Sequence, residues 1–122
     1  MAQFLIRKVP TGYKFDLKAG NGQTIATSEV YETRTACRKG IESVVRNALK
    51  APVEDQTEAG FRSVSNPKFE LYQDKSGGFR FRLKSRNGQA IAASESYSSK
   101  AACENGIESV RRNAPGAEVE EA

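Results

Sequence analysis

The chain of 122 residues contains no histidine and no tryptophan, a single methionine and two cysteines. Without histidine a Ser-His-Asp or Cys-His relay is excluded, and the commonest general base and metal ligand is missing. The cysteines, Cys37 and Cys103, form neither a CxxC pair nor a zinc-ligand spacing. They are expected to be small buried hydrophobes in a reducing compartment. No stretch approaches the roughly 20 apolar residues needed to span a bilayer. The first residues, "MAQFLIRKVP", have neither the long apolar run nor the cleavage site of a secretory leader. The expectation is therefore a cytoplasmic protein with no membrane contact. No phosphate-binding glycine loop, dinucleotide fingerprint, HExxH or calcium-loop pattern occurs, so no cofactor, metal or catalysis is expected. The balance of 19 basic and 15 acidic residues, +4 overall, is mildly basic. It favours solubility and a weak attraction to polyanions without specifying either.

What the chain does have is repetition. "NGQTIATSEVY" at 21–31 returns as "NGQAIAASESY" at 87–97. Displacing the chain by 66 positions lays Tyr13–Ala48 over Phe79–Ala114 without a gap, with "GIESV" identical at 40–44 and 106–110. The chain is a tandem duplication: one unit over about 1–58, a linker over about 59–67 and a second unit over about 68–122.

Each unit changes period in the same order. In "FRFRLKSR", Phe79, Phe81 and Leu83 alternate with Arg80, Arg82, Lys84 and Arg86, the period of a strand with one wet face. "FELYQDK" before it and "QAIAASE" after it read as strands too, with a hairpin expected at Asn87-Gly88. Ala36, Cys37, Gly40, Ile41, Val44 and Ala48 then recur at three and four, one face of a helix. Thr33 and Ser99 are the expected N-caps, and Pro52 and Pro115 follow the helix ends. Gly40 and Gly106 fall mid-helix, which costs about 1 kcal/mol each relative to Ala; close backbone approach along a thin ridge is the expected reason. A short strand closes each unit, giving β-β-β-α-β twice. One unit of this size buries a marginal core, so the two are expected to share one. The expected fold is a single α+β domain of two pseudo-symmetric halves, monomeric, in which an antiparallel sheet carries both helices on one face and leaves the other open.

"FELYQDKSGGFRFRLKSRNGQAIAASESYSSKAACENGIESVRRNAP" resembles the YegP-like family of small tandem-repeat proteins, and the resemblance extends over nearly the whole chain in two copies. It implies that both units join one sheet and exchange their C-terminal strands. It implies no catalytic residue.

Three groups of residues are candidates for function. Arg80, Arg82, Lys84 and Arg86 form a basic row with about 6.8 Å between alternate residues, comparable to phosphate spacing along a nucleic-acid strand. Tyr72 on the neighbouring strand would stack on a base. Against this, Glu70 and Asp74 face the same side and would neutralise the row. The repeated SExY, Ser28, Glu29 and Tyr31 with Ser94, Glu95 and Tyr97, offers acid–base groups at the seam between halves. It also suits tyrosines packed over the helix starts, with Ser or Glu satisfying backbone amides there. Glu42–Arg46 and Glu108–Arg112 have the favourable order for i,i+4 ion pairs. The expected function is a non-enzymatic interaction module that presents the open sheet face to a protein partner. The alternative is nucleic-acid binding along the basic row.

Overall fold

The computed structural model describes residues 1–122. Each half supplies three consecutive strands, a helix and a closing strand: β1 Gln3–Val9, β2 Gly12–Lys18, β3 Thr24–Thr27, α1 Arg34–Ala48 and β4 Val53–Asp55, then β5 Lys68–Gln73, β6 Phe79–Lys84, β7 Ala90–Ala93, α2 Lys100–Asn113 and β8 Glu118–Glu121. The eight strands form one sheet in the order β4-β5-β6-β7-β3-β2-β1-β8. The two halves meet at the β3–β7 pair, antiparallel at Thr27 and Ala93. The closing strands cross over: β4 adds to β5 of the second half, and β8 adds to β1 of the first. Both added strands run parallel to their neighbours, so the sheet is mixed and not antiparallel throughout. Each closing strand runs opposite to the strand before its own helix, and it is parallel only to the edge strand of the other half on which it lands.

The alternation read from the sequence decides which face is packed. Phe4, Ile6, Phe15 and Leu17 with Phe69, Leu71, Phe81 and Leu83 lie against Cys37, Ile41, Val44, Cys103, Ile107 and Val110 in one cluster of 21 buried residues. Neither half has a core of its own. Thr33 and Ser99 cap the helices as expected, accepting from the backbone N–H of Ala36 and Ala102. Pro115 sits in a turn of 3-10 helix, Ala114–Gly116, that extends α2. In the two Asn-Gly turns only the glycine takes positive φ, 84° at Gly22 and 85° at Gly88. Each asparagine instead accepts from the N–H two residues on, because a bulge before the turn lengthens the loop beyond two residues.

The glycines in the helices answer to a side chain and not to a ridge of backbone. A Cβ on Gly40 would stand 2.6 Å from Cζ of Tyr31 and 3.1 Å from Cε2, with the hydroxyl closer still. A Cβ on Gly106 would meet Tyr97 in the same way, 2.8 Å from Cζ. Each tyrosine is held in turn by stacking on a core phenylalanine, Tyr31 on Phe15 and Tyr97 on Phe81. The pairing of Tyr31 with Gly40, repeated as Tyr97 with Gly106, thus locks each helix to the sheet by the same joint.

Candidate functional site

The sheet face opposite the helices carries the basic row, and carboxylates already match two of its four charges. Arg82 Nε donates to Glu70 at 2.5 Å, Arg80 Nε donates to Asp74 at 2.9 Å, and Arg7 Nε donates to Asp16 at 2.8 Å. Arg82 also lies over the Tyr72 ring, 4.3 Å from its centre. Lys84 donates to the carbonyl of Gly88. Arg86 leaves the row: β6 ends at Lys84, and Arg86 stands exposed in the following turn. The face is not fully open either. The segment after β4 folds back across its edge, where Glu54 is 2% exposed and accepts from the N–H of Val64, the amide of Gln56 and the ammonium of Lys68. Lys68 bridges to Glu70 as well, at 3.3 Å. The hydrogen bonds from Lys68 and Gln56 hold the Glu54 carboxyl at about 2, well below its ordinary range. At Asp16 burial opposes ionisation, but the hydrogen bonds from Arg7 and Thr27 outweigh it and the carboxyl is lowered.

The SExY residues do not gather into one acid–base array. Ser28 is buried and its hydroxyl is used twice, accepting from the N–H of Phe15 at 2.9 Å and donating to the carbonyl of Glu29. Ser94 does the same between Phe81 and Glu95. These serines therefore satisfy the sheet backbone, not the helix start, and the glutamates Glu29 and Glu95 are exposed. Tyr31 and Tyr97 reach the middle of each helix and not its start. Burial, with a smaller contribution from nearby thiol and glutamate groups, raises both phenols, so they stay protonated donors at neutral pH. The i,i+4 pairs are absent: Arg111 takes Glu108 at i,i+3, and Arg46 and Arg112 enter no ion pair. Glu121 instead binds Arg34 and Arg38 of α1, and Asp55 binds Lys100 of α2, which staples each exchanged strand to the helix of the other half.

On the helix side, where the halves meet, two clefts repeat each other. The first lies between α1 and the β6–β7 turn and has a volume of about 440 Å³. The second lies between α2 and the β2–β3 turn and has a volume of about 860 Å³. Tyr31 lines the first and Tyr97 the second. Sequence reasoning missed these clefts, because each is built from one half's helix and the other half's turn.

This architecture and the doubled unit agree with the comparisons. The family model described as a domain of unknown function, DUF1508, matches twice, over residues 11–55 and 74–121. The chain belongs to the YegP-like UPF0339 family. A UPF0339 protein of Stutzerimonas stutzeri is 38% identical over 112 residues, covering 89% of this chain and 85% of that one. A UPF0339 protein of Treponema denticola is 65% identical over 54 residues, which is 44% of this chain but 93% of the relative; a single unit is nearly the whole of it. The solution structure of the protein of unknown function yegP from E. coli superposes with a TM-score of 0.81 at 33% identity, covering 98% of this chain and 91% of that one. That of a UPF0339 protein from Shewanella oneidensis gives 0.78 at 34% identity, covering 98% and 90%. The YegP-like fold of two DUF1508 units is therefore shared across the length of the chain.

Proposed function

We propose that this YegP-like protein is a non-enzymatic interaction module whose sheet face binds a folded protein of mixed surface charge. The observation that carries this reading is the cluster of Tyr72, Arg82 and Glu70 on the face opposite the helices. Arg82 is stacked on Tyr72 and bonded to Glu70 at once, so both side chains are held before any partner arrives. Tyrosine and arginine are the residue types that anchor protein interfaces, and anchors already fixed lose less entropy on binding. Arg80–Asp74 beside the cluster, and Arg7–Asp16 on β1 and β2 of the other half, are further pairs of opposite charge, which suits a partner of complementary charge pattern. A nucleic-acid strand laid along Arg80, Arg82, Lys84 and Arg86 has less support, since two of the four are engaged by carboxylates and the last points from a turn.

The test is site-directed crosslinking from position 72 in native lysate, with and without nuclease, followed by titration of the captured partner after its purification. Saturable binding that survives nuclease and is lost in Tyr72→Ala and Arg82→Gln is the expected result. Capture that disappears with nuclease, or binding indifferent to both substitutions, refutes the reading.

A further inference from the structure

The first cleft differs from its duplicate in charge. Lys39 and Arg46 line it from α1, Lys50 from the turn after it and Arg86 from the β6–β7 turn, and no aspartate or glutamate lines it at all. None of these four cations takes part in an ion pair, whereas Arg7, Arg34, Arg38, Lys68, Arg80, Arg82, Lys100 and Arg111 all do. Four cations without an ion pair are thus collected around one concavity. In the pseudo-equivalent cleft, Asn105 stands in the place of Lys39, Gly20 in that of Arg86 and Gly116 in that of Lys50. Only Arg112 remains as a cation there, and Glu95 lines the same cleft. The scaffold is therefore common to both clefts, and four like charges are concentrated in one. Like charges held together repel and raise the energy of the free protein, a cost that an anionic ligand removes.

We infer that the cleft between α1 and the β6–β7 turn binds a small polyphosphate anion, either inorganic or borne by a nucleotide. Two guanidinium groups and two ammonium groups are the donors that phosphoryl oxygens take. Asn87 and Gln89 in the turn add neutral amide donors, and the protonated Tyr31 hydroxyl lies in the lining. At about 440 Å³ the volume is that of a small-molecule site. Three of the cations come from α1 and the turn after it and the fourth from the facing β6–β7 turn, so an anion seated in the cleft meets positive charge from both walls. This inference concerns the helix side of the molecule and stands apart from the sheet-face interaction.

The experiment is titration of the full chain with inorganic tripolyphosphate, with ATP, and with an oligothymidylate, followed by backbone amide shifts at low and moderate salt. Tripolyphosphate is expected to give saturable shifts confined to residues 39–50 and 85–91. Arg46→Gln and Arg86→Gln each weaken it about tenfold or more, as loss of a charge-assisted bond does. Arg112→Gln, in the other cleft, leaves it unchanged. ATP binding as tightly as tripolyphosphate at the same amides assigns a nucleotide source, and weaker ATP binding assigns an inorganic one. No saturable shift below millimolar anion, equal shifts in both clefts, an equal loss with Arg112→Gln, or tighter oligothymidylate binding that spreads onto β6 overturns the proposal.

Discussion

Replacing Gly40 by alanine puts two effects in opposition at one atom. In the middle of an exposed helix the change stabilises by about 1 kcal/mol, because alanine loses less backbone entropy. Here the new methyl would stand 2.6 Å from Cζ of Tyr31, well inside contact distance. The ring has little freedom to withdraw. It stacks on Phe15 with centroids 6.3 Å apart, and Tyr31 exchanges both backbone hydrogen bonds with Tyr13. Overpacking of this kind costs about 1–3 kcal/mol. Subtracting the propensity gain leaves a net destabilisation of up to about 2 kcal/mol. For a chain of this size that lowers Tm by up to roughly 8 °C. The assay is thermal and urea denaturation followed by circular dichroism on four proteins: wild type, Gly40→Ala, Tyr31→Ala and the double variant. Tyr31→Ala opens the space above the helix, so in that background Gly40→Ala should change sign and stabilise. A rise in Tm for Gly40→Ala in the wild-type background, or the same sign in both backgrounds, would refute the claim that the glycine is there for the tyrosine.

Glu54→Ala should destabilise by about 2 kcal/mol or more, because it strands the N–H of Val64 and half of the Lys68 ion pair under the folded-back segment. The pH dependence follows from the same group: its folded pKa of about 2 lies below the ordinary value of 4.5, so its contribution is present above pH 4.5 and is lost as pH falls towards 2. Urea midpoints measured from pH 6 to 2 should therefore fall less steeply in Glu54→Gln than in wild type, and parallel curves would count against it. Cys37 and Cys103 are both buried free thiols, and burial pushes Cys103 up to about 11. Native protein should resist a thiol reagent that labels both residues after unfolding, and rapid native labelling would contradict the packing. Residues 1–60 expressed alone lack the strand that pairs with β1 and leave β4 without β5, so they should self-associate or remain unfolded; a dispersed amide spectrum from a monomer would overturn this.

What the sequence determined by itself is what short-range periodicity encodes. Phe79, Phe81 and Leu83 alternating with arginines define a strand and the face it buries, whatever it pairs with. Thr33 and Ser99 mark helix starts because the capping hydroxyl acts three residues away. The duplication is legible because two copies of one unit carry the same elements in the same order. Direction, partner and charge balance belong to the tertiary structure. That β4 and β8 run parallel at opposite edges follows from where each crossover returns, over ten residues of loop and helix that no alternation records. That Gly40 makes room for Tyr31, nine residues earlier, appears only when strand and helix are packed together. The four alternating cations of 80–86 read as one row in the sequence, but a strand that ends at Lys84 sends Arg86 to the helix side, towards Lys39, Arg46 and Lys50. Electrostatic interactions depend on distance in space, and the packing of one half's turn against the other half's helix set those distances.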